Sequence, residues 1–155
     1  MNKEKIISTF IASSIVEFRE ERDFLRSELS DINLKYLDSP LQFRFFFCEE
    51  EGGAVSLEGS QNIINEKIKA CDLFVVLFGQ KLGNVTCEEV ILAVEERQKK
   101  GTPDILICFK GKPSGAVYGW FSDNQPELLE NSVSFFDEEE LCRVIHDRLN
   151  SRYKV

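Results

Sequence analysis

Strand-like and helix-like segments alternate along this 155-residue chain, and that alternation predicts a three-layer α/β fold. The expected core is a five-stranded, mostly parallel sheet in the order 2-1-3-4-5, with helices on both faces. Three observations carry the prediction. Short apolar, β-branched or aromatic runs recur along the chain, at 5–12, 41–48, 73–79, 105–109 and 132–136. Segments with apolar residues at helical spacing separate or follow them. Two of the runs, LFVVLFG (73–79) and ILICF (105–109), are apolar throughout, as parallel strands covered on both faces are.

Each element has its own local justification. KIISTFIA (5–12) reads as strand one, and Ser14-x-x-Glu17 after it as a capping box. Phe18, Leu25, Leu29 and Ile32 mark the inner face of the next helix, which stops before Asp38-Ser39-Pro40. LQFRFFFC (41–48) is strand two, and EEEGGAVSLEG (49–59) a Glu- and Gly-rich loop. Ile64, Ile68 and Cys71 place a helix over 62–71, and LFVVLFG follows as strand three. Thr86-x-x-Glu89 has the spacing of a second capping box, opening a helix over about 87–100 with Val90, Ile91, Ala93 and Val94 on its apolar face. Lys99, Lys100 and Gly101 suit its C-terminus. ILICF is strand four, 110–127 reads as irregular with one short helix, and SVSFF (132–136) is strand five. Asp137-x-x-Glu140 caps a last helix with Leu141, Val144, Ile145 and Leu149 inward.

Composition narrows the function classes. Hydrophobic content of 43% and charged content of 30% suit one globular domain. A net charge of −8 argues against binding a nucleic-acid backbone, which needs clustered Lys and Arg. The N-terminal apolar stretch is short and broken by Ser and Thr, and no stretch reaches the roughly 20 apolar residues that span a bilayer. No membrane contact is expected. Five cysteines (48, 71, 87, 108 and 142), with no CxxC, read as reduced thiols of a cytoplasmic protein and not as a disulfide or zinc framework.

In the 2-1-3-4-5 order, ligands bind at the carboxyl ends of strands one and three. Those ends are Ala12-Ser13-Ser14 and the segment from Gly79 to Glu89. Substrate contacts are therefore expected from Ser13, Ser14, Gly79, Gly83 and Thr86, and Glu89 in the same segment is either a cap residue only or a reactive carboxylate. Glu88, about 100° away around the helix, reads as solvated. Glu21 and Arg22 read as ion pairs on or beside helix one, Trp120 and Phe121 as core-edge residues, and Lys110 and Lys112 as solvated loop lysines. There is no Walker loop, no G-x-G-x-x-G turn, no nucleophile elbow and no zinc signature.

Two stretches resemble a known family. TFIASSIVEFREERDFLRSEL and IKACDLFVVLFGQKLGNVTCEEVILAVEERQKKGTPDILICFK together look like a TIR-like domain-of-unknown-function family, over residues 5–110. The flavodoxin-like (TIR-like) fold follows from that resemblance too. Such domains are often the N-terminal part of larger proteins carrying an NTPase or repeat module, so residues 1–155 would be one such domain. The family is related to TIR NADases and to nucleoside 2-deoxyribosyltransferases. Thr86, Glu89 and Ala93 keep the transferases' Thr-x-x-Glu-x-x-x-Ala spacing, with Val85 where they carry Gly. The resemblance implies that Glu89 cleaves the nicotinamide–ribose bond of NAD⁺, which is a substrate; no cofactor is needed. It also implies a cytosolic defence or signalling effector that self-associates for activity, the acidic loop 49–60 corresponding to a TIR loop that controls assembly. The alternatives are a non-catalytic protein–protein interaction module and a deoxyribosyltransferase-like enzyme.

Overall fold

Five parallel strands form one sheet in the order β2-β1-β3-β4-β5, in a computed structural model that describes residues 5–13, 17–35, 37–38, 40–47, 57–80 and 84–153. The strands are β1 (Lys5–Ala12), β2 (Leu41–Phe47), β3 (Leu73–Phe78), β4 (Asp104–Lys110) and β5 (Val133–Phe135). The helices are α1 (Arg19–Lys35), α2 (Leu57–Ala70), α3 (Asn84–Lys100), α4 (Gly115–Asn124), α5 (Pro126–Glu130) and α6 (Glu138–Arg152). This is the expected doubly wound, flavodoxin-like architecture.

The central strand explains the layers. Every residue of β3 is buried, and successive side chains point to opposite faces. Leu73, Val75 and Leu77 join a core with Leu25 and Ile32 of α1 and Leu141, Ile145 and Leu149 of α6. Phe74, Val76 and Phe78 join a second core with Ile64 and Ile68 of α2, Val90 and Ala93 of α3, and Val117 and Phe121 of α4. So α1 and α6 cover one face, and α2, α3 and α4 the other. The outer strand β2 is tied to α1 by Asn33, whose Oδ1 accepts from Phe43 N–H at 2.8 Å and whose Nδ2 donates to Phe43 O at 3.1 Å.

Several boundaries differ from the sequence expectation. Helix α2 begins at Leu57, inside the stretch read as a loop. One interior Gly costs a helix about 1 kcal/mol, and burial of Ile64 and Ile68 outweighs it. The stretch read as irregular forms α4 and α5. Ser114 caps α4 by accepting from Val117 N–H, and Pro126 occupies the first turn of α5. Val117 and Phe121, four residues apart, are both fully buried, and the Phe121 ring meets Phe78 edge-on at 5.1 Å between centroids. Trp120 packs against the same core, so the pair serves packing. Ile91, expected inward, is exposed on α3. The side chain of Leu29, Cys48 and the loop 49–56 lie outside the described residues.

Asp137 caps α6 as expected, its Oδ1 accepting from Glu140 N–H at 2.8 Å. Asp137→Ala should destabilise the fold by about 1 kcal/mol, read by denaturant titration.

Cys71, Cys87 and Cys108 are buried free thiols, and Cys142 is partly buried. Burial pushes the Cys108 thiol up to about 12 from an ordinary 9.0, and the Cys71 thiol likewise to about 12. Their folded values lie above the unfolded ones, so this stabilisation is complete below the ordinary value and fades as pH rises through the folded one. Between those limits each thiol makes stability fall by about 1.4 kcal/mol per pH unit. In Cys108→Ala, unfolding free energy measured above pH 9 should fall less steeply with pH than in the wild type.

Candidate active site

The site is built at the carboxyl edge of the sheet, where β1 and β3 part. Ala12, the last residue of β1, pairs with Val76, so β3 runs on through Leu77 and Phe78 with β4 beside it and no β1 residue opposite. The chain leaves β1 for α1 on one face and leaves β3 for α3 on the other. In doubly wound folds such a divergence is where ligands bind.

Glu89 lies on the sheet-facing stripe of α3. Thr86, Glu89, Val90 and Ala93 follow helical spacing, and all are buried, Glu89 to 4% exposure. Glu88 is exposed, as expected. The Thr86–Glu89 capping box is not formed. Helix α3 starts at Asn84, so Thr86 stands inside the first turn and Glu89 in the second. Capping therefore does not account for Glu89. Its burial beside core residues has to be explained by its surroundings, and Glu89 is not without a partner there. A buried carboxylate near the ligand edge of an α/β sheet marks a functional candidate.

Ser13 is buried, and its Oγ accepts from Arg22 Nη1 at 2.8 Å. Arg22 is fully buried and Glu21 nearly so, so the ion pair expected of Glu21 on helix one is made from a buried position. Both stand in the first turn of α1. The carboxylate of Glu21 reaches the end of β4 and pairs with Lys110 Nζ at 2.6 Å. The hydrogen bond that Lys110 gives Glu21, with the added charge of Glu138 and Glu20, holds its ammonium above the ordinary value. Lys110 is solvated, as read, but it ends β4 and is tethered by this ion pair, which corrects its reading as a loop lysine.

Glu17 and Gly79 complete the edge. Helix α1 begins at Arg19, so Glu17 stands before the helix, while Ser14, the other member of the expected capping box, lies outside the described residues. Glu17 lies in the preceding turn, and its Oε1 accepts from Gln80 N–H at 3.2 Å. A Cβ on Gly79 would collide with that carboxylate. Gln80 Nε2 donates to Lys112 O at 3.1 Å, joining the ends of β3 and β4. The turn before α1 and the first turn of α1 thus hold three strand ends together: Gly79 and Gln80 through Glu17, Ser13 through Arg22, and Lys110 through Glu21. Of the expected site residues, Ser13, Gly79, Thr86 and Glu89 lie along or beside this edge, while Ser14 and Gly83 lie outside the described residues.

Other features contribute nothing to this edge. Among the described residues no cluster of His, Cys, Asp and Glu has a metal-binding arrangement, and no helix is long and apolar enough to cross a membrane. The chain's single His, His146, lines a surface groove between α1 and α6, on the face opposite α3.

No protein-family model matches the chain, and no curated protein matches it. Solved structures do. One is the CMP N-glycosidase BcmB of Clostridium botulinum, with a TM-score of 0.50 and 17% identity, covering 89% of this chain and 97% of that one. The two share a fold. The TIR-like resemblance rests on the sequence motifs.

Proposed function

We propose that this protein hydrolyses the N-glycosidic bond of a nucleotide, with Glu89 as the catalytic carboxylate. The observation that carries this reading is a buried carboxylate near the parting of β1 and β3 that no helix cap explains. The likeness in fold to a CMP N-glycosidase agrees with the reaction class. As the bond between the anomeric carbon and the base nitrogen breaks, its electron pair leaves with the base. Positive charge builds on the ribose, and a fixed carboxylate in a water-poor crevice stabilises it. Water then adds to the anomeric carbon and gives up a proton.

NAD⁺ is the preferred substrate in this reading. Its nicotinamide is already a pyridinium and leaves as a neutral base without a general acid. Cytosine needs a proton to leave well, and the only imidazole of the chain lines the α1/α6 groove. The cation of Arg22 behind Ser13 favours the negative charge of a phosphate at that end of the crevice. A pyrimidine nucleoside monophosphate is the second reading, favoured by the fold likeness to BcmB. Self-association that completes the crevice belongs to the proposal.

The test is a panel assay. Purified protein is incubated with NAD⁺, CMP and cytidine over a range of protein concentrations, and free base is separated and quantified. Nicotinamide release that rises more than linearly with protein concentration is expected. Cytosine release alone would favour the second reading. Absence of any free base at every concentration would remove the enzymatic reading in favour of an interaction module.

A further inference from the structure

We propose that Glu17 is a second carboxylate of the crevice, accepting hydrogen bonds from the ribose hydroxyls of the substrate, and that Gly79 lacks a side chain because this carboxylate lies against it. The inference rests on the crevice being the ligand site proposed above.

The end of β3 carries the argument. Beyond Val76 the strand has no β1 residue opposite, so its following amides need acceptors from elsewhere. Glu17, from the turn after β1, spans the gap, and its Oε1 takes the N–H of Gln80. The carboxylate therefore lies across the seam between β1 and β3, on a residue exposed to solvent, and not inside the core. Gln80 is itself fixed to the loop after β4 through Lys112 O, so the anchor is a braced backbone segment.

The chemistry of the group selects its ligand. An ionised carboxylate only accepts hydrogen bonds, and each oxygen accepts two. It repels phosphate and has no partner on an aromatic base face. A ribose diol offers two adjacent O–H donors that match the two carboxylate oxygens. Glu17 then recognises the sugar while Glu89 acts on the anomeric carbon, which divides the work of the crevice between residues on opposite sheet faces. A ligand lacking the 2′-hydroxyl offers the carboxylate one donor fewer, and sites built to bind a hydroxyl reject such analogues strongly.

Gly79 supplies an independent handle. The atom that a Cβ there would strike is the far end of a flexible side chain, so Gly79→Ala displaces the Glu17 carboxylate while leaving the strand in place. Binding is measured by calorimetry in the Glu89→Gln background, where ligand is held without turnover. The probes are NAD⁺, its analogue lacking the 2′-hydroxyl of the nicotinamide ribose, CMP and 2′-deoxy-CMP. The ribo form should bind roughly ten- to a hundred-fold more tightly than its 2′-deoxy counterpart, the range for a hydrogen bond to a charged group. Adding Glu17→Ala or Gly79→Ala should each reduce that preference to within about three-fold, and the two together should do no more than either alone.

A preference that survives both substitutions overturns the inference while leaving the crevice as the ligand site. A structural latch alone would lower Tm without changing the ratio, and that result also overturns it. Failure of all four ligands to bind overturns the inference and the proposed site together. Binding with the expected pattern, but no base release by the wild type, upholds the role of Glu17 and removes the hydrolase reading.

Discussion

Glu89→Gln is expected to lower the rate of base release by about 10²–10³-fold, the usual cost of removing one preorganised electrostatic contact to a transition state. The effect should fall on kcat more than on KM, because the charge that Glu89 stabilises develops as the bond breaks. Gln keeps the length of the side chain and can still accept a hydrogen bond, so the variant should remain folded at 25 °C with a cooperative melt. Glu88→Gln, one residue away on the exposed side of α3, is the matched control and should retain wild-type rates. Rates that fall equally in both variants would point to a general effect of charge on α3 and against a specific role for Glu89.

Arg22→Ala is expected to have the largest effect on stability, a loss of about 3–5 kcal/mol. The residue is fully buried, and its guanidinium holds Ser13 at the end of β1. Removing it deletes a large buried side chain and leaves its partners without their cation. For a chain of this length that loss corresponds to a fall in Tm of roughly 6–20 °C. Arg22→Lys should recover only part of it, because an ammonium does not reproduce the planar fork of a guanidinium. A Tm within about 2 °C of wild type for Arg22→Ala would contradict the structural role.

Strand order and the two covered faces were legible in the sequence because they follow from the alternation of elements and their periodicity. Leu73 to Phe78 read as a buried strand and is one, and Asp137 read as a cap and is one. Arg22 was legible in principle as well. Phe18, Arg22, Leu25, Leu29 and Ile32 fall on one helical stripe, so the spacing that put Phe18 and Ile32 in the core put Arg22 there too. Its charge suggested the surface, and burial with a hydrogen-bonding partner overrode that bias. The capping-box positions read for Glu17 and Glu89 failed for a different reason. A motif of four residues fixes no register, and α1 begins after Glu17 while α3 begins before Thr86. Contacts such as Glu17 to Gln80 and Glu21 to Lys110 join residues 63 and 89 positions apart, and only the closed sheet brings them together.

The most direct test of the central claim is hydrolysis in ¹⁸O-labelled water, followed by mass spectrometry of the sugar product. Cleavage at the N-glycosidic bond predicts one ¹⁸O atom on the anomeric carbon of the released ribosyl phosphate product, unlabelled free base in equal amount, and both formed about 10²–10³-fold more slowly in Glu89→Gln. Label on a phosphate with the base still attached, or equal product from wild type and Glu89→Gln, would contradict it.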